Sequence, residues 1–284
     1  MINYCRLFRC KNLLIVVLTQ LLVYKCLIID NSKLSYFETE FIFLMIATVL
    51  ITAAGYLIND FYDVETDKIN RPGKNIIDDK IGINTVLIIY TLLNAISLFI
   101  GFKISIQLGL IFLSAIILLL FYSAYFKSVV LTGNIIVSML SALTVLVVWY
   151  YKPESNFFII AFYVFFAFMT SLLREIIKDI EDVEGDSKTN VNTFAVIYGI
   201  KASKWVANIL LWILMLSVLF FIVLNFISYL GFVVLFLLIF VLIPLLFLMY
   251  KIRKASIKKD FTYMSKVIKL IMIAGILSMI FYKL

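Results

Sequence analysis

The chain has 284 residues, of which 64% are hydrophobic, and its mean hydropathy is +1.10. A soluble domain of this size does not carry so much apolar surface, so the composition predicts an integral membrane protein. Because there is no histidine, histidine general bases and histidine-containing metal sites are excluded. The formal net charge of +8 is typical of basic loops on one side of a membrane, and we expect no nucleic-acid partner.

Apolar runs long enough to cross a bilayer recur along the whole chain. The first follows a basic N-terminus and could be taken for a signal peptide, but it is too long and no small-residue cleavage site follows it. We therefore predict an all-α integral membrane protein, a nine-helix bundle that forms a single domain over residues 1–284. The predicted spans are 12–29, 41–58, 83–102, 104–126, 130–150, 156–173, 205–225, 229–250 and 263–282.

Charge is distributed unevenly between the two ends of these spans. The N-terminus and the loops after spans two, four, six and eight contain 20 of the 25 Lys and Arg, and the other side contains five. The positive-inside rule then predicts a multi-pass protein of the cell (inner) membrane with a cytoplasmic N-terminus. The five on the other side are Lys25, Lys33, Lys103, Lys152 and Lys283.

Two short acidic stretches, at 60–67 and 179–186, are near copies of each other. Both read D-x-x-D-V-E-x-D, and each comes at the end of an apolar span, in the predicted cytoplasmic active-site loops after spans two and six. In a helix this spacing places all three aspartates of a stretch on one face. A solvated acidic loop is the simple alternative. The repetition favours a site in which cations lie between the two rows, and oxygen-only ligands favour Mg²⁺ or Mn²⁺.

Basic residues also lie close to the acidic stretches. They could neutralise phosphate oxygens, or they could only anchor the loops at the membrane surface. They are Arg71, Lys74, Lys127, Arg174 and Lys178.

Cytoplasmic carboxylates beside an apolar bundle indicate a substrate with a phosphate head and an apolar tail. Mg²⁺ is usually bound by a few carboxylates together with substrate phosphates, and it would stabilise a leaving diphosphate. If the tail is allylic, a dry, aromatic-rich cavity could hold the resulting carbocation. A cation-coupled transporter is a more distant alternative, since it would be expected to place its carboxylates near the membrane midplane.

The motifs N-D-x-x-D-x-x-x-D at 59–67, followed by N-R-P at 70–72, and K-D-x-x-D-x-x-G-D at 178–186 resemble the two signatures of the UbiA superfamily of intramembrane prenyltransferases. The residues of the two motifs are most similar to those of the geranylgeranylglyceryl phosphate geranylgeranyltransferase (digeranylgeranylglyceryl phosphate synthase) branch. The resemblance implies Mg²⁺-dependent transfer of a prenyl group, here geranylgeranyl, from a prenyl diphosphate to a lipophilic acceptor within the lipid bilayer. The favoured acceptor is geranylgeranylglyceryl phosphate. The alternative is an aromatic prenyltransferase that uses 4-hydroxybenzoate, homogentisate or naphthoate.

Site residues follow from the same resemblance. It implies catalytic roles for Asp60, Asp63, Asp182 and Asp186, and metal binding by these four together with Asp67 and Asp179. Substrate binding would involve Asn12, Asn59, Arg71, Lys127, Arg174 and Lys178. A tyrosine that contacts the diphosphate is left open between Tyr122 and Tyr125, because neither has the family's spacing from Lys127.

Overall fold

The computed structural model of the chain describes residues 5, 7–28, 38–70, 77, 81–153, 157–189, 191–227 and 231–282. Within these residues, nine helices are long and apolar enough to cross a membrane, which confirms the predicted nine-helix bundle. They are α1 (Cys10–Ile28), α2 (Thr39–Tyr62), α3 (Ile83–Ile104), α4 (Ile106–Ala124), α5 (Thr132–Tyr151), α6 (Phe157–Lys188), α7 (Phe194–Ile227), α8 (Gly231–Lys254) and α9 (Lys258–Tyr282).

The outer surface of the bundle is apolar. Phe99, Trp205 and Phe232 are 65%, 68% and 73% exposed, as expected of side chains that face lipid. Helices satisfy their own backbone hydrogen bonds, so this surface can lie in hydrocarbon without unpaired polar groups. Inside the bundle, α6 packs against α5, α7 and α9, while α2 packs against α3 and α4. This central place of α6 carries the second acidic stretch into the middle of the molecule.

Helix α6 continues well past its apolar part. The predicted span ended at residue 173 and was followed by a polar loop at 179–204, but the helix extends to Lys188 and α7 already begins at Phe194. The backbone of Gly199 (φ 81°, ψ 166°) is not helical and kinks α7 near its start. That loop prediction is wrong. Hydropathy marks where a helix leaves the hydrocarbon, whereas the backbone hydrogen bonds of the helix continue into the polar layer. The second acidic stretch is therefore helical throughout.

The first acidic stretch is divided by a break in the helix. Helix α2 ends at Tyr62, Asp63 has backbone angles of φ −93° and ψ 3°, and a short helix, Val64–Asn70, follows. This short helix packs against α6. The predicted single helical row of aspartates is thus interrupted at its middle residue, and the break directs the first stretch towards the second.

Both acidic stretches lie at the same end of the bundle. Asp182 of α6 lies 3.9 Å from Lys258 at the start of α9, and Thr66 within the first stretch hydrogen-bonds Thr189, which follows the second. At the opposite end, Lys152 after α5 binds Glu38 before α2. This alternation agrees with the predicted order of loops along the chain.

Candidate functional site

A cavity of about 490 Å³ opens between α1, α2, α4, α5, α6 and α9. Its walls away from the acidic end are mostly apolar and include Ile51, Phe112 and Val147, which lie two or more turns further along their helices. The hydroxyl groups of Thr48 and Thr144 lie among them. Its other end is polar and contains residues of both acidic stretches. The cavity therefore matches the expected substrate class, with charge at one end and hydrocarbon walls beyond it.

Asp63 is held by two side chains. Its Oδ2 atom accepts a hydrogen bond from Asn59 Nδ2 at 2.7 Å and forms an ion pair with Lys127 Nζ. Lys127 lies in the turn between α4 and α5, so this contact joins two hairpins of the bundle. Asn59, Asp63, Asp67 and Lys127 all line the cavity.

Asp60 lies beside the cavity and is not among its described lining residues. Its Oδ1 atom binds Nη2 of Arg9, which does line the cavity and lies 4.9 Å above the ring of Tyr56. Burial lowers the pKa of Arg9, but the charge of the Asp60 carboxylate and its hydrogen bond to Arg9 help to raise it above its ordinary value, so the guanidinium stays charged. The backbone of Arg9 is left-handed (φ 50°, ψ 51°), a conformation that costs about 1–2 kcal/mol and needs support from such contacts.

The second stretch presents all three of its aspartates to the cavity. Asp179 accepts a hydrogen bond from Asn134 Nδ2 of α5 at 2.9 Å, and Asp186 is only 6% exposed. Asp182 lies about one turn after Asp179, and Asp186 lies about two turns after it, so α6 presents a continuous row of carboxylates.

Two cations of α6 share one carboxylate. Arg174 Nη1 lies 2.9 Å from Glu175 Oε1, and Lys178 Nζ lies 3.3 Å from Glu175 Oε2. All three residues line the cavity, and the Glu175 side chain is only 12% exposed. This group therefore carries one net positive charge next to the row of aspartates.

The donor set of the site fits Mg²⁺, although no three His, Cys, Asp or Glu side chains in the described ranges form a ready metal-binding group. Mg²⁺ prefers oxygen ligands and commonly takes only one or two carboxylates, with substrate phosphates and water completing its shell. Asp67 and Asp182 come from the two stretches and line the same cavity, so they could hold such an ion from opposite sides. A preformed cage of carboxylates is not required for this mode of binding.

The structure thus brings together most of the residues predicted from sequence, and their roles stay predictions. Arg71 and Lys74 lie outside the described residues. Tyr122 lines the cavity, whereas Tyr125 is 64% exposed, so the structure favours Tyr122 as the tyrosine near the diphosphate. The predicted residues that line the cavity are Asn12, Asn59, Asp63, Asp67, Lys127, Arg174, Lys178, Asp179, Asp182 and Asp186.

Sequence reasoning missed several lining residues. Lys269 is the clearest, because a cation within an apolar span is a functional candidate on that ground alone. Asn134 opens span five, and Glu175 lies just before the second stretch, so these two positions are weaker signals. Arg9 and Tyr56 also line the cavity and were not predicted.

Comparison with known proteins finds relatives in sequence and in structure. Residues 23–273 match the UbiA prenyltransferase family. The digeranylgeranylglyceryl phosphate synthase of Methanosphaera stadtmanae is 37% identical over 175 residues, which cover 61% of this chain and 63% of that protein. The one from Sulfolobus acidocaldarius is 39% identical over 191 residues, or 64% of this chain and 66% of that protein. The chain therefore spans slightly less than two thirds of the length of these relatives.

Solved structures share the fold over nearly the whole chain. A structure concerning digeranylgeranylglyceryl phosphate synthase in membranes has a TM-score of 0.72 at 24% identity, covering 99% of this chain and 98% of that one. A UbiA homolog from Archaeoglobus fulgidus bound to GPP and Mg²⁺ has a TM-score of 0.63 at 17% identity, covering 98% and 99%. With nine apolar helices among the residues that the structure describes, the chain is a multi-pass membrane protein.

Proposed function

Since the chain belongs to the UbiA prenyltransferase family, we propose that it transfers a prenyl group, geranylgeranyl in the favoured case, from a prenyl diphosphate to a lipophilic acceptor. The favoured acceptor is geranylgeranylglyceryl phosphate, after the activity for which the relatives from Methanosphaera stadtmanae and Sulfolobus acidocaldarius are named. Mg²⁺ is the proposed metal, as in the Archaeoglobus fulgidus homolog bound to GPP and Mg²⁺.

One observation carries the proposal. Asp63 and Asp182 come from stretches more than a hundred residues apart, yet they line one cavity whose remaining walls include Ile51 and Phe112. A diphosphate with an allylic tail needs both parts, a polar end for the leaving group and a dry wall for the hydrocarbon. A transporter that uses these carboxylates would be expected to place them near the middle of the membrane, whereas here they lie at helix ends.

The side chains at the polar end have distinct proposed tasks. Asp67, Asp182 and Asp186 would bind the metal, while Lys127 and Lys178 would offer positive charge to the diphosphate oxygens. Mg²⁺, when bound, would supply positive charge that stabilises the departing diphosphate. Asn59 and Asn134 each donate to a carboxylate and so fix its orientation.

The proposed reaction breaks one bond and forms one. The bond between the first carbon of the prenyl chain and the diphosphate oxygen breaks, and the electron pair leaves with the diphosphate. The acceptor hydroxyl oxygen bonds to that carbon, and its proton is released. Apolar wall residues such as Phe112 and Leu119 would exclude water, which would otherwise compete for the allylic cation.

The orientation of the chain is part of the proposal. The excess of Lys and Arg at the acidic end favours a cytoplasmic site and a cytoplasmic N-terminus in the cell (inner) membrane. A reporter fused after Leu284 should therefore be active on the outer side of the membrane. A cytoplasmic signal from this fusion would overturn the proposed orientation.

A transfer assay on detergent-purified protein tests the activity. Geranylgeranyl diphosphate and Mg²⁺ are supplied with geranylgeranylglyceryl phosphate, 4-hydroxybenzoate or homogentisate in separate reactions, and products are identified by mass spectrometry. We expect an ether product with the first acceptor only. A product formed only with an aromatic acid would support prenyl transfer and contradict the proposed acceptor. No product and no diphosphate release from folded protein would contradict the proposed activity.

A further inference from the structure

Lys269 differs from the other cations of the cavity in its partners. Its ammonium group donates to the neutral Asn12 Oδ1, and among the described residues no carboxylate is recorded within ion-pair distance of it. The charged groups that act on it are Arg174 and Lys11, which are both cations. In contrast, Arg9 and Lys127 each bind an aspartate of the first stretch.

Positive charge therefore accumulates on one side of the cavity. Arg174 shares Glu175 with Lys178, so this group adds a net positive charge near Lys269. Two cations close together inside an apolar bundle repel each other and lose hydration, so the arrangement favours an anion between them. Lys269 and Arg174 both line the cavity, where a ligand can reach them.

The surroundings of Lys269 distinguish this anion from the diphosphate of the donor. A diphosphate held through Mg²⁺ lies among carboxylates, whereas the hydrogen-bond partner of Lys269 is the neutral side chain of Asn12. One turn further into the bundle, α1 contributes Ile15 and Val16 and α9 contributes Met272 to the cavity wall. A ligand bound here would place an anionic head at Lys269 and a hydrocarbon chain along these residues.

We infer that Lys269 and Arg174 bind the phosphate group of the acceptor, at a site distinct from that of the donor diphosphate. The inference rests on the proposed function and specifies its acceptor as a phosphorylated, lipid-tailed alcohol. A phosphate monoester carries about −1.5 to −2 charges at neutral pH and so matches two cations better than a carboxylate does. Asn12 positions the Lys269 ammonium group, because its side-chain oxygen accepts from Nζ.

Substitution of Lys269 tests the assignment. We expect Lys269→Met to raise the KM for geranylgeranylglyceryl phosphate at least tenfold and to leave the KM for geranylgeranyl diphosphate within twofold. Lys269→Arg should restore much of the acceptor affinity, because it keeps the charge. Lys266→Met is the matched control, since Lys266 lies on the same helix, is exposed, and is not part of the described cavity lining. An unchanged acceptor KM, or an equal rise for the donor, would overturn the inference.

Binding to the unmodified protein separates this inference from the proposed function. Geranylgeranylglyceryl phosphate should bind at least tenfold more tightly than geranylgeranylglycerol, which lacks the phosphate, and Lys269→Met should remove most of that difference. Equal affinity of the two lipids for the unmodified protein would overturn the inference even if Lys269→Met failed to fold. Phosphate-dependent binding without turnover would support the inference and contradict the proposed activity.

Discussion

The hydroxyl group of Thr66 donates a hydrogen bond to the hydroxyl oxygen of Thr189 at 3.1 Å, across 123 residues of sequence. Thr66 lies between Asp63 and Asp67, and Thr189 follows Asp186 by three residues. Thr189 in turn donates to the backbone carbonyl of Gly185 at 3.0 Å. This chain of hydrogen bonds joins the two acidic stretches directly.

Thr66→Val should loosen that connection. Thr66 is only 8% exposed, and valine keeps its shape while removing the donor, so the loss should be about 1 kcal/mol and a few degrees in the Tm. We expect turnover to fall as well, because the two carboxylate rows are less well placed. Thermal unfolding in detergent and diphosphate release measure both effects. Thr91→Val is the control, since Thr91 is exposed and donates to Leu87 of its own helix. Equal behaviour of the two variants would contradict the proposed link.

The aspartates and glutamates of the acidic stretches should differ in importance. Asp67→Asn and Asp182→Asn are expected to lower kcat by about two orders of magnitude or more, because these carboxylates line the cavity and would bind the metal. Glu65→Gln and Glu184→Gln are matched controls with exposed side chains, and they should stay close to the unmodified rate. Circular dichroism would establish that each variant is folded. A glutamate variant as damaging as its neighbouring aspartate variant would refute this division of roles.

Removal of divalent metal should stop the reaction without unfolding the protein. The nine helices are held by apolar packing, whereas the proposed metal ligands lie only at one end of the cavity. Chelation with EDTA should abolish diphosphate release and the thermal stabilisation by geranylgeranyl diphosphate, and added Mg²⁺ should restore both. Turnover that persists after chelation would mean that the carboxylates act without a metal.

Lys127 should matter chiefly for the donor. It binds the same carboxylate oxygen of Asp63 as Asn59 does, at the polar end of the cavity. Lys127→Met is expected to raise the KM for the prenyl diphosphate about tenfold, since hydrogen bonds to charged groups are worth about 1.5–3 kcal/mol. Lys188→Met serves as a control, because Lys188 forms an exposed ion pair with Glu184. If both variants had the same donor KM, Lys127 would have only a structural role.

The ion pair at the opposite end of the bundle gives a pH-dependent prediction. Hydrogen bonds from Lys152 and Tyr151 lower the pKa of Glu38, so this contact contributes stability above the ordinary pKa of a glutamate. That contribution should be lost as the pH falls through the lowered pKa. The Tm difference between the unmodified protein and Glu38→Gln should therefore be largest near neutral pH and small at about pH 3. The effect should be less than about 1 kcal/mol, because Glu38 is 45% exposed. A difference that grows on acidification would contradict the assignment.

The sequence determined the bundle and the candidate site to different extents. Nine spans could be predicted because transfer of apolar side chains into lipid is a local property, readable from each run by itself. The repeated spacing of Asp60–Asp67 and Asp179–Asp186 identified the acidic stretches, since helical geometry is local too. The break at Asp63 could not be read in this way, because it depends on how the short helix Val64–Asn70 packs against α6.

Only the tertiary structure decided which polar groups meet. The contact between Asn12 and Lys269 joins residues 257 positions apart, and that between Asn134 and Asp179 joins residues 45 positions apart. Apolar residues occur on several faces of these helices, so the hydrophobic pattern alone does not show which neighbouring helix a polar side chain meets. Helix rotation and crossing are set by close packing of side chains from several helices at once. That packing pairs Arg9 with Asp60 and Lys127 with Asp63, and it places Lys269 and Arg174 in the wall of the same cavity.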